Sequence, residues 1–181
     1  PNGVGEIGND GCLCHGASNT DTKISISGLP EKFESATNYS LQLTLSNEEI
    51  ARNNLSAQGG FRIIVNIGVL YFNNSEGIII DDGWTHQESS NQQRIWNFSW
   101  LSPDDNTTMA KLLVYGNAVN GNQQQTGDNW NDLEIYIPGV QNFDPIPTET
   151  KTEHELETFD RTMLFLGLIV LLYICYRIIR D

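Results

Sequence analysis

Residues 162–176 read TMLFLGLIVLLYICY, an apolar run without a single charge. A membrane-spanning helix needs about 20 such residues, with about 17 as the lower limit. Ile178 and Ile179 carry the run past Arg177, whose long stem reaches back to the interface by snorkelling. Tyr173 and Tyr176 suit the headgroup level on that side. A buried core helix would be expected to keep a polar face, and this run has none. Arg177 and Arg180 follow it, whereas Glu149, Glu153, Glu155, Glu157 and Asp160 precede it with only Lys151 and Arg161. The Lys/Arg bias predicts a single-pass protein of the cell membrane, with its N-terminal part outside and its C-terminus in the cytoplasm.

The outer part is strongly acidic. Net charge over the whole chain is −13, and Asp181 is the one acid beyond the apolar run, so 22 acids face 8 bases before it. Such a surface repels nucleic-acid phosphates and anionic lipid headgroups, which argues against a nucleic-acid partner; the partners expected are the lipid bilayer, through the helix alone, and other membrane or surface proteins. The chain opens Pro1-Asn2-Gly3-Val4-Gly5, with neither a basic start nor an apolar stretch. Outward placement therefore implies a signal peptide already removed. Cys175 lies within the apolar run and reads as inert filler.

Before residue 138 the pattern is that of short strands. Thr22 to Ser27 and Tyr39 to Leu45 alternate strictly, and Phe61 to Phe72 is rich in Ile and Val with a break at Gly68, as one bent strand or a hairpin. Gly77 to Asp81, Arg94 to Trp100, Lys111 to Tyr115 and Leu133 to Ile137 complete seven or eight strands. The fold class expected is all-β, an Ig-like antiparallel β-sandwich ectodomain plus one C-terminal transmembrane helix. Its parts are an N-terminal segment at 1–20, the sandwich at 21–137, an acidic, Pro-containing stalk at 138–158, and the helix with a short inner end at 159–181. Trp84, Trp96, Trp100 and Trp130 read as packing residues. Five sequons, at Asn38, Asn54, Asn73, Asn97 and Asn106, suit a glycosylated exterior; Asn97, on a strand between two tryptophans, suits it least.

Several motifs recur in a familiar order. Gly11-Cys12-Leu13-Cys14-His15-Gly16 is followed by Gly28-Leu29-Pro30, Tyr39-Ser40-Leu41, Gly59-Gly60-Phe61 and Thr85-His86. Then come Trp96-Asn97-Phe98-Ser99-Trp100 with Pro103, Gly116-Asn117-Ala118-Val119-Asn120-Gly121, and Gly127-Asp128-Asn129-Trp130. From about Gly11 to Ile137 this order and spacing resembles the choice-of-anchor V domain family, relatives of the reelin-type (Reeler) domains. The resemblance implies a secreted or surface-anchored sandwich found with differing C-terminal anchors, and it implies no settled reaction.

Two constellations carry chemistry. Cys12-Leu13-Cys14-His15 is one residue shorter than the Cys-x-x-Cys-His motif of c-type haem attachment. Four readings stand open: a structural role, either a Cys12–Cys14 disulfide or a plug on the sandwich; a c-type haem on His15 with His86 as second ligand; a copper or zinc site from Cys12, Cys14, His15 and His86; and thiol redox chemistry. The loop from Gly116 to Asp132 offers Asn117, Asn120, Asn122, Asp128 and Asp132 as oxygen ligands for calcium, or as caps for its own backbone. No nucleophile elbow, His-Glu-x-x-His or P-loop is present, so an enzyme is not expected. The reading is a membrane-anchored interaction, adhesion or accessory-subunit module, with an extracytoplasmic electron-transfer or metal-binding protein as the alternative.

Overall fold

The computed structural model describes residues 3–15, 17–50, 56–147, 166–167, 173 and 176. The chain divides into two units, Pro1–Ile146 and Pro147–Asp181. The first is all-β, with nine strands among its described residues: β1 (Lys23–Ser27), β2 (Asn38–Ser46), β3 (Gly59–Val65), β4 (Val69–Phe72), β5 (Gly77–Ile80), β6 (Gly83–His86), β7 (Ile95–Leu101), β8 (Met109–Ala118) and β9 (Asn129–Pro138). They form a four-stranded sheet of order β1-β2-β7-β4 and a five-stranded sheet of order β5-β6-β3-β8-β9. All the strand pairs are antiparallel. Without the β5–β6 hairpin, which extends the second sheet beyond β3, this is the ABED/CFG order of a constant-type immunoglobulin sandwich.

Alternation builds the core. In β2 the inward positions Leu41, Leu43 and Leu45 are buried, and in β7 so are Trp96, Phe98 and Trp100. β3 and β8 answer with Phe61, Ile63, Leu112 and Val114. A column of aromatic rings joins the sheets: Phe72 stacks on Phe98 at 4.7 Å and on Phe61 at 5.0 Å, and Phe61 meets Trp96 edge-on at 5.0 Å. Each such pair is worth about 0.5–1.5 kcal/mol beyond its area. The buried indole nitrogens are satisfied, Trp96 Nε1 donating to Ser90 O at 3.0 Å and Trp100 Nε1 to Ile67 O at 3.2 Å.

Phe61 to Phe72 is neither a bent strand nor a hairpin. β3 and β4 lie in different sheets, and residues 66–68 carry the chain across. Gly68 makes the crossing possible: its φ is +77°, and a Cβ there would meet the Trp100 indole and the Leu101 carbonyl. β6 is an addition to the expected strands. It hairpins onto β5 through Asp81 and Asp82, both at positive φ, as in a two-residue I′ turn.

The stretch expected to leave the sandwich at residue 138 stays on it a little longer. Phe33 bridges Gly139, Val140 N donates to Phe33 O at 3.0 Å, and buried Asn142 donates through Nδ2 to Thr107 O at 2.7 Å. In the second unit Leu166, Gly167, Tyr173 and Tyr176 are helical. The rest of the apolar run, Cys175 and Arg177 included, lies outside the described residues. Among the described residues no helix is long and apolar enough to cross a membrane.

Candidate functional site

Residues 3–15 lie along the outer face of the five-stranded sheet. Two short 3₁₀ turns, Glu6–Asp10 and Leu13–His15, shape this strap. Its fastening is Arg62, which points outward from β3 yet is only 1% exposed. The guanidinium donates to Val4 O at 3.1 Å, Ile80 O at 2.9 Å, Asp81 O at 2.9 Å and Asn9 Oδ1 at 2.6 Å. Burial pushes the Arg62 pKa down, against the pull of Asp81 and then Glu6 and Tyr115, and the group stays charged. Glu6 N donates to Asp81 Oδ2 at 3.0 Å, and the Tyr115 hydroxyl donates to Asn9 O. Gly11, at φ +107°, lies flat on the Trp130 ring where a Cβ would collide.

The Cys-x-Cys-His turn follows. His15 N donates to Cys12 O at 2.8 Å, which sets Cys12 half-buried and Cys14 exposed, both as free thiols. The Cys12–Cys14 disulfide, one of the readings left open by the sequence, is not shown. Burial, then the neighbouring Cys14, pushes the Cys12 thiol up to about 11, so it is protonated at neutral pH. His15 Nδ1 lies 2.9 Å from Asp128 Oδ2, whose side chain is 3% exposed. Asp128 Oδ1 accepts from Asn120 N at 3.0 Å. His86 sits elsewhere on the sheet, with its Nδ1 3.2 Å from the Phe61 amide and its ring against Gly60. Among the described residues no three His, Cys, Asp or Glu side chains gather as metal ligands, so Cys12, Cys14, His15 and His86 do not converge.

In the loop that offers either calcium ligands or caps for its own backbone, the side chains cap the backbone. Asn120 Oδ1 accepts from Asn122 N, Asn122 Oδ1 accepts from Gln124 N, and both Nδ2 groups donate to Thr126 O. Asp128 is taken by His15 and the Asn120 amide; Asp132 is exposed on β9, and Asn117 is buried on β8 with Oδ1 unpartnered. Of the sequons, Asn38 begins β2, Asn73 opens the β4–β5 turn, Asn97 is central in β7, Asn106 lies between β7 and β8, and Asn54 is outside the described residues.

The outer face of the four-stranded sheet holds a feature that the sequence does not announce. A shallow groove of about 450 Å³ runs across it, lined by Ser27, Ser40, Gln42, Tyr71, Asn97 and Ser99, with no charged side chain in its walls. Its signal is present in the polar partners of each alternation, Ser25 and Ser27, Ser40 and Gln42, Asn97 and Ser99, which align only once β1, β2 and β7 are paired.

No protein-family model matches the chain, and no curated protein does. Among solved structures the chain is similar to the reeler domain of human F-spondin, at 14% identity and a TM-score of 0.45, over 71% of this chain and 98% of that one. It is also similar to a lipoprotein from Bacteroides thetaiotaomicron, at 13% identity and a TM-score of 0.43, over 78% and 91% of the two chains. A conjugative transposon lipoprotein from Bacteroides eggerthii matches at 12% identity and a TM-score of 0.41, over 66% and 98%.

Proposed function

We propose that this chain is a recognition module of the cell exterior, a β-sandwich displayed on the membrane by the helix of residues 159–181. The observation that carries the reading is the union of a self-contained sandwich with an uncharged apolar run after it. Two further features support it. Among the described residues no three His, Cys, Asp or Glu side chains gather as metal ligands, and the residues before the apolar run carry 22 acids against 8 bases. Such a surface works by presenting a face to a partner. The test is protease treatment of intact cells carrying an epitope inserted after Gln123, an exposed loop position. Loss of the epitope, with the helix retained after alkaline carbonate extraction, is the expected result. Release by carbonate, or an epitope protected in intact cells and cleaved only after lysis, counts against the reading.

One observation favours a second reading, a haem or metal bound at the Cys-x-Cys-His turn with His15 as its ligand. A ligating imidazole commonly gives its other nitrogen to a carboxylate, and His15 Nδ1 has buried Asp128 as that partner, which leaves Nε2 for a ligand. A visible spectrum with metal analysis of protein matured in its native host decides it: a Soret band or stoichiometric copper or zinc supports this reading, and absence of all three removes it.

A further inference from the structure

We propose that the groove on the four-stranded sheet binds a neutral oligosaccharide borne by the partner surface. The inference rests on the exterior-module reading and names the ligand class of that module. Charge chooses the class. The chain carries −13, yet the groove walls are uncharged. A phosphorylated, sulfated or uronate-bearing ligand would find no cation in the walls and a chain of net charge −13 behind them, and a basic peptide would find no carboxylate there to pair with. Glu76, whose Oε2 accepts from Asn97 N at 3.0 Å, is not among the wall residues.

What the groove does offer is hydroxyl and amide groups on a regular grid. Ser40 pairs across the ladder with Ser99, Gln42 with Asn97, and Ser27 with Gln42. Directly opposed side chains on a sheet face lie about 4.5–5.5 Å apart, a spacing that a chain of sugar rings with equatorial hydroxyls can follow. Gln42 Nε2 donates to Asn97 Oδ1 at 3.0 Å, which orients both amides and leaves Gln42 Oε1 as an acceptor and Asn97 Nδ2 as a donor. Tyr71, on edge strand β4 and paired with Ser99, stands at one side of the groove and is 50% exposed. An aromatic face beside a row of hydroxyls suits a sugar ring, whose C–H face is apolar and whose rim is polar. A few well-placed polar groups and one ring are the usual furnishing of a small-ligand site.

The experiment uses the full chain in nanodiscs. The side-chain amide resonances of Gln42 and Asn97 are followed while β-1,4-glucose and β-1,4-mannose tetrasaccharides are added, with a hyaluronan tetrasaccharide as the charged counterpart. The expected result is saturable shifts with at least one neutral probe, at least tenfold weaker binding in Tyr71→Ala and in Ser99→Arg, and no change in Ile79→Ala on the other sheet. The proposal is overturned by silence toward both neutral probes, by stronger binding of hyaluronan, or by binding indifferent to both groove variants. It is also overturned by an intact mass showing a glycan on Asn97, which would place the protein's own sugar in the groove, and by self-association that Tyr71→Ala abolishes, which would make the face an interface between copies. Protease shaving reads the exterior placement separately, so failure of the ligand class and failure of the module reading give different results.

Discussion

The two sheets share one core and treat their outer faces in opposite ways. On the five-stranded sheet the strap of residues 3–15 covers Arg62, Tyr115 and Trp130, and β8 is buried on both faces from Val114 to Ala118. On the four-stranded sheet nothing among the described residues covers the face, and β7 alternates buried positions with exposed or half-buried ones. A covered face invests its polar groups in holding its own chain. A bare face leaves its polar groups uncommitted. Among the described residues the hydroxyls of Ser27, Ser40, Ser99 and Tyr71 donate to no other group of the protein. Stability should therefore depend on the first face and binding on the second.

The sharpest way to break that contrast is Arg62→Ala. Each hydrogen bond from a charged donor is worth about 1.5–3 kcal/mol, and the substitution strands the carbonyls of Val4, Ile80 and Asp81. A loss of about 3 kcal/mol or more is expected in chemical denaturation. Hydrogen exchange should speed up first at the amides of residues 3–15. Uniform acceleration across both sheets would mean that the strap is part of the core, not a cover upon it.

Gly11→Ala probes the same contrast at a single contact. The residue needs φ +107° and has Trp130 where its Cβ would go, so strain and collision act together, at about 1–3 kcal/mol. Trp130 fluorescence should shift as the ring becomes wet.

The strap is the least legible part of the sequence. Val4 and Ile7 are exposed, so no apolar periodicity announces a segment that is held by backbone carbonyls on one arginine. The alternating strands are legible because one side of each faces the core: Ile24 and Ile26, Leu41 to Leu45, Trp96 to Trp100. The jump from β3 to β4 is hidden because a three-residue link looks like a turn whether the chain folds back in its own sheet or crosses to the other. β6 gives little signal because Gly-Trp-Thr-His is short and opens on a glycine that makes room for the Arg62 guanidinium. Asp128 reads as a calcium ligand in the sequence, since sequence alone cannot bring His15 to it across more than a hundred residues.

Cys12 gives the covered face a pH signature. Its ordinary value is 9.0 and burial raises it to about 11 in the folded chain. Between those values the unfolded chain loses its proton while the folded chain keeps it. The contribution is therefore fully present below pH 9 and is lost as pH rises through about 11. Alkylation at about pH 8 should modify exposed Cys14 first, with Cys12 reacting only near pH 11 or after Arg62→Ala loosens the strap. Equal labelling of both thiols at that lower pH would show that the strap leaves Cys12 in water.

The smallest effect is expected on the bare face, and its smallness is the informative part. Ser40→Ala and Ser99→Ala remove hydroxyls that hold nothing within the described protein, from strands whose core positions are untouched. Ser40 is exposed and Ser99 half-buried, and surface substitutions of this kind stay within about 0.5 kcal/mol. Denaturation midpoints should thus match the parent, although saccharide binding falls if the groove is the site. A loss of about 1 kcal/mol or more, beyond that range, would instead make these hydroxyls part of what holds the fold, and the two faces would differ less than their burial indicates. Pairing each serine variant with Arg62→Ala completes the comparison: the sites lie in different sheets and share no partner, so their effects on stability should add to within about 0.5 kcal/mol.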